Sequence, residues 1–253
     1  MTPTRTPDPA PHAGPVLFEE GDFHALSEGL CRDRQYDDRR LLARRKLLAL
    51  GKGALAPLAA AGVRLECRTS LHHPSPFNGG RVRRLWAYLS RAKADKTRLR
   101  RVLGRDLAKD LDSAYRNAYL CVAIEPEALE VSLRIHPDAW YDGQNLAKRT
   151  AADGVRPLLE ILRELDGFRL RLHDWKGEWP CGGLPPERLE DFLSHWTPGE
   201  HALAVERRFP APAGDRGPVL EADAAPHLTA ELVRLAPLYR YGAWSAESDF
   251  LFA

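Results

Sequence analysis

The sequence predicts an α+β protein: a single antiparallel sheet of about six strands, with helices N-terminal, inserted and C-terminal packed on it. Three observations predict this class. Residues 119–135, "YLCVAIEPEALEVSLRI", alternate with period two on both sides of a short turn, the pattern of an antiparallel hairpin. Strand-like runs come as neighbouring pairs, whereas a parallel sheet would set a helix between each strand and the next. No composition break or long linker interrupts residues 17–253, so one domain is expected there. Residues 1–16 are Pro-rich and are expected to form a disordered, partly extended tail.

Each element has its own grounds. "FEEGDFHALSEGL" and "YDDRRLLARRKLLALGKGALAPLAAAG" read as helices. In the second, Leu41, Leu42, Leu47, Leu48 and Leu50 recur at helical spacing with Arg and Lys opposite, and Asp37 and Asp38 suit the positive end of the dipole. "GVRLECRTSL" alternates Val63, Leu65, Cys67, Thr69 and Leu71, a strand half-buried on one face. "RVRRLWAYLSR" fits two templates. As a strand it separates Leu85, Ala87 and Leu89 from Arg84, Trp86 and Tyr88; as a helix it gathers Val82, Leu85, Trp86 and Leu89. The preceding Asn-Gly-Gly favours the strand, as hairpin partner of the one before.

"KADKTRLRRVLG" is then a helix closed by Gly104. After the central hairpin, "NLAKRTAADGVRPLLEILRELDG" is helical with a break near Gly154, since Pro157 suits the first turn of a new segment. "FRLRLHDW" is a strand with Phe168, Leu170 and Leu172 on one face. "PPERLEDFLSHW" is a short helix, "HALAVERRFP" a last strand, and "APHLTAELVRLAPLYRYGAW" a closing helix.

Composition narrows the classes of function. The 253 residues are 44% apolar and 28% charged, enough for a sizeable core beneath an ordinary polar surface. No run approaches the roughly 18 apolar residues of a membrane helix. The N-terminal stretch lacks the apolar segment of a secretory signal. Cys31, Cys67, Cys121 and Cys181 form no Cys-x-x-Cys pair, which argues against a zinc knuckle or a redox motif. Cys67 and Cys121 read as small buried hydrophobes, and a reducing, cytoplasmic compartment is expected.

Net charge is +2, unevenly spread: from Arg68 to Arg105 there are 11 Lys or Arg and one acid, Asp95, so this segment carries +10 and the remainder −8. Either the segment faces a polyanion or a basic helix lies against an acidic patch of the same chain.

The stretch "LHHPSPFNGGRVRR", residues 71–84, concentrates the question. Gly79 and Gly80 permit a backbone that brings amides to an anion, or they form an ordinary turn. The Walker and Gly-x-Gly-x-x-Gly patterns are absent. On the strand reading, Arg84, Trp86 and Tyr88 share a face, a cation among rings that stacks bases and holds phosphates. Such rings also pack beneath helices. A second constellation, "RIHPDAWYDGQN", sets His136, Asp138, Asp142 and Asn145 where a strand ends and a helix begins. These groups can bind a divalent metal or transfer protons. They also serve as turn and cap residues. His72 and His73 join that set if their strand ends are neighbours.

In "HDWKGEWPCGG", residues 173–183, Trp175 and Trp179 flank Lys176 and Glu178, as a ligand rim or as loop anchors. Gly-x-Ser-x-Gly and His-Glu-x-x-His are absent. Glu127 and Glu130 have no lysine two residues on, so a nuclease-type carboxylate and lysine set is incomplete there.

The segments "SLHHPSPFN", "LWAYLSR", "DLAKDLD" and the strand pair ending in "HPDAWYDGQNL" together resemble bacterial α+β domains of unknown function. In those, helices lead into an antiparallel sheet and a basic segment precedes a central hairpin. The resemblance spans residues 60–165, implies the same fold class, and carries no catalytic residues with it.

Three functional expectations follow. The first is a nucleic-acid binding domain, with Arg81, Arg83, Arg84, Arg91, Lys93, Lys96, Arg98, Arg100 and Arg101 on phosphates and Trp86 and Tyr88 stacking bases. The second is a metal-assisted hydrolase of a phosphorylated substrate. There His136, Asp138 and Asp142 would hold a divalent metal, with His72 or His73 nearby. The third is an interaction module whose basic stripe docks an acidic partner.

Overall fold

The computed structural model describes residues 15–172, 175, 177–212, 219–220 and 223–252. Among these, seven strands form one antiparallel sheet: β1 (Leu65–Thr69), β2 (Leu85–Arg91), β3 (Tyr119–Glu125), β4 (Ala128–Ile135), β5 (Arg169–Leu172), β6 (Trp179–Pro180) and β7 (Leu203–Pro210). Their order is β1-β2-β3-β4-β7-β5-β6. The α+β class stands, with one strand more than alternation suggested, because β6 has two residues and no period to read. Residues 82–84 lead into β2, and 85–91 are strand. The chain leaves the sheet after β4 and returns twice, with β7 filling the place between β4 and β5.

Period two gives the sheet two unlike faces. On one, Leu85, Ala87 and Leu89 of β2 line up with Leu120, Val122 and Ile124 of β3, then Leu129, Val131 and Leu133 of β4, then Leu203 and Val205 of β7. All are buried in one cluster. Helix α2 (Asp37–Ala60) lies over β1 and β2, burying Leu47, Leu50, Ala54 and Leu58 at successive turns. The approach is tight at Gly51, where a Cβ would sit 2.6 Å from Cys67 Sγ. The same core takes in Leu146 of α4 (Trp140–Asp153) and Leu158 and Leu162 of α5 (Val155–Arg163). It also takes in Phe192 of α6 (Pro186–His195), Leu228 and Leu232 of α7 (Ala224–Arg234) and Leu238 of α8 (Ala236–Gly242).

Some expectations change in detail. The first helix, α1, is confined to Glu20–His24. Helix α3 (Lys93–Leu107) kinks at Gly104, whose φ of 79° breaks the turn there as a C-cap glycine would. Gly154, with φ 78°, separates α4 from α5. The C-terminal segment is two helices, because Pro237 opens α8 and supplies no amide to continue α7. β1 and β2 pair as expected, joined by residues 70–84 with a 3-10 turn at Pro76–Asn78 where a tight Asn-Gly turn was expected. Residues 1–14 of the expected tail lie outside the described residues. Val16 is docked, its amide donating to Asp223 Oδ1 at 2.9 Å and its carbonyl accepting from Ala224. Among the described residues no helix is long and apolar enough to cross a membrane.

Candidate functional site

The other face of the sheet carries the alternate residues, and their chemistry divides it in two. Over β1 and β2 it is aromatic; over β3, β4, β7 and β5 it is charged. The strand register puts Trp86 and Tyr88 on this face, opposite Ala123 and Cys121. Above them is a groove of about 550 Å³, walled by the loop 71–84 and by residues 113–115. Phe77 stands 93% exposed on its rim, with Leu71 at 42% and Tyr115 at 46%. Large apolar side chains left in water around one concavity mark a binding surface.

The loop 71–84 is rigidly built. The Arg40 guanidinium is fully buried beneath it and donates to the carbonyls of His72, Ala25, Leu30 and Asp33 and to Asp37. Asn78 accepts from the Ser75 amide and donates to the His73 carbonyl, both at 2.8 Å. The Val82 amide donates to the Cys31 carbonyl. Gly79 and Gly80 have φ of 63° and 70°. The amides of Asn78, Gly79, Gly80 and Arg81 all donate to carbonyls within the loop, so none is left for an anion. The stretch is therefore a turn that presents Phe77, and it is no phosphate loop.

The basic segment is largely neutralised from within. Arg84 is half-buried, bridging Glu125 and Glu130, with Nη2 3.0 Å from Glu130 Oε1. Arg91 is 3% exposed and donates to Asp142 (2.8 Å), Asn117 and the Trp244 carbonyl. Lys96 is 1% exposed and held by Glu66 and Asp112. Arg91 and Lys96 thus have no surface to offer a phosphate. Arg83 pairs with Glu28, Arg98 with Asp95 and Glu247, and Arg100 with Asp112, all as exposed pairs. Arg81, Lys93 and Arg101 are exposed and have no ion pair among the described residues. Of these, Arg81 lines the groove.

The histidine and carboxylate set does not assemble. The register places Thr69 beside Ala87, and Ile135 beyond the far end of that pairing, so His72 and His73 lie at the opposite end of the sheet from His136. Burial, followed by the charges of His73 and Arg44, lowers the pKa of His72. His136 and Asp138 are exposed neighbours, 3.8 Å apart. Asp142 turns inward, accepting from Arg91 and from the amides of Ala118 and Trp244. Asn145 is buried, bonded to the Gly242 carbonyl and the Phe250 amide. Among the described residues no three His, Cys, Asp or Glu could hold a metal. Trp175 packs on His195 and Trp179 on Phe192, as loop anchors would, and Glu178 pairs with Arg169. His173, Asp174 and Lys176 lie outside the described residues.

The charged half of the face was missed from sequence. Glu130 and Glu206 are 0% and 3% exposed, roofed by Arg84, Arg134, Arg171 and Arg208. Burial alone would raise the Glu130 pKa, but Arg84, Arg134 and the Ser132 hydroxyl outweigh it and hold it at about 2. Cys121 lies on this face under Arg84, and burial pushes its thiol up to about 11, so it is protonated and inert at neutral pH. The signal was present as charges on every second residue: Glu130 and Arg134 about Ser132, Arg169 with Arg171, and Glu206 with Arg208.

No protein-family model matches the chain, and no curated protein matches it.

Proposed function

We propose that the groove over β1 and β2 binds single-stranded nucleic acid. The observation that carries this is the convergence of Phe77, Trp86, Tyr88 and Tyr115 on one open concavity, beside Arg81, which has no ion pair among the described residues. A π-face of any base stacks on such rings, at about 1–3 kcal/mol per base, and a nearby cation holds the backbone. Phosphate contact falls to Arg81, with Arg83 beside it once released from Glu28. This is far fewer than the nine cations the sequence offered. A reducing, cytoplasmic setting belongs to this reading, with Cys31, Cys121 and Cys181 as buried thiols.

Fluorescence anisotropy with labelled single-stranded and duplex oligonucleotides of one sequence tests this. Tighter binding of the single strand supports the reading, since stacked bases in a duplex hide the faces the groove would take. Equal or stronger duplex binding, or none to either, overturns it and leaves the exposed Phe77 and Leu71 to a protein partner.

A further inference from the structure

On the same open face, a second cavity of about 70 Å³ lies between the end of β4 and the start of β7. Its polar walls are Tyr119, Arg134, His136 and Arg171. One water needs roughly 10–15 Å³ of such space, so the cavity accepts a group of a few heavy atoms.

Its donors are already positioned. Arg134 uses Nε and Nη2 on Glu130, Ser132 and Glu206, which leaves Nη1 without a partner among the described residues. Among the described residues, Arg171 bonds through Nη1 alone, to Glu206 at 2.8 Å. Glu206 is buried between the two guanidiniums with one oxygen on each, so it fixes their spacing. His136 Nδ1 accepts the Asp138 amide at 3.1 Å, which puts the ring proton on Nε2. Burial pushes the Tyr119 hydroxyl up to about 12, so it remains a donor. In the surrounding network Arg84, Arg134, Arg171 and Arg208 face Glu125, Glu130 and Glu206, an excess of one positive charge among the described residues. Two braced guanidiniums with spare donors match the oxygens of a tetrahedral anion.

We propose that Arg134, Arg171, His136 and Tyr119 form a receptor for one phosphate monoester. The receptor rests on residues other than those of the groove. The two share a wall: the Tyr115 ring is 5.7 Å from His136, and Tyr88 is 6.3 Å from Tyr119. A strand lying in the groove would bring its terminal phosphate here, a step that rests on the groove reading.

Equilibrium dialysis of the full chain against labelled orthophosphate tests the receptor. Saturable binding of one phosphate per chain is expected. Arg171→Ala is expected to weaken it about tenfold, the loss of one charge-assisted contact, with partial recovery in Arg171→Lys. His136→Ala, at a half-exposed position, should weaken it as well while the urea midpoint stays near that of the wild type. Absence of saturable binding, or binding unchanged in both alanine variants, overturns the receptor. A chain that binds single strands and no phosphate loses the receptor and keeps the groove. A chain that binds phosphate and no strand loses the groove alone. If both hold, a 5′-phosphorylated or 3′-phosphorylated oligonucleotide should bind more tightly than its hydroxyl counterpart; equal affinity for both would detach the receptor from the groove.

Discussion

Asp142→Asn should destabilise the protein by about 3–5 kcal/mol, the cost of leaving one charge of a buried pair unmatched. Asp142 is fully buried and Arg91 nearly so, 2.8 Å apart. The carboxylate also accepts the Ala118 amide at 2.6 Å and the Trp244 amide at 2.8 Å. An asparagine keeps one acceptor and turns an NH₂ toward a donor that cannot receive it. The Arg91 guanidinium keeps Asn117 and the Trp244 carbonyl but loses its counter-charge. The site joins β2, the approach to β3, α4 and the C-terminal segment, so the loss is felt globally. With a urea m-value of about 3 kcal/mol/M, the unfolding midpoint should fall by roughly 1–1.7 M. Chelators should leave the wild-type midpoint unchanged. A shift below about 0.3 M, or a wild type destabilised by chelation as much as the variant is, would refute the assignment of Asp142 to the structure and return it to a metal.

Two further predictions follow from packing and charge. The folded-state pKa of Glu130 is held at about 2 against an ordinary 4.5, so its stabilisation is complete above about 4.5 and is lost as pH falls toward 2. Acid titration of the urea midpoint should therefore show a decline across that window that is shallower in Glu130→Gln, and parallel profiles would contradict the network. Gly51→Ala places a Cβ 2.6 Å from Cys67 Sγ and 3.3 Å from Ala87 Cβ, and should cost about 1–3 kcal/mol by urea unfolding. Adding Cys67→Ala should recover most of that loss, and no recovery would mean that α2 does not rest on β1 as described.

How far the sequence could be read follows from the range of each signal. Alternation in residues 119–135 is local, so the central hairpin was legible, whereas its pairing with β2 was not. It did not say which face is wet, because Cys121, Glu130 and Ser132 are buried as deeply as Leu120 and Val131. The arginines that roof them come from β4, β5, β7 and the approach to β2, which no window joins. The +10 segment was legible as charge and illegible as surface. Arg84 meets Glu130 46 residues away, Arg91 meets Asp142 51 away, and Lys96 meets Glu66 30 away. Asp142 follows His136 closely in sequence, yet α4 turns it inward while His136 stays exposed. Only the fold supplies the direction in which a polar residue points.

The most direct test of the groove measures single-strand affinity at about 50 and 200 mM salt, for the wild type and for Phe77→Ala. A single strand gives a logarithmic salt slope of about −0.7 per phosphate neutralised. Two arginines predict about −1.4, a loss near sevenfold over that range; nine cations would lose several thousandfold. Phe77 is 93% exposed, so its removal should leave stability within about 0.5 kcal/mol while weakening binding by at least about fivefold. That pair of results is what the groove predicts. Binding that ignores Phe77, or that collapses with salt as nine phosphate contacts would, contradicts it.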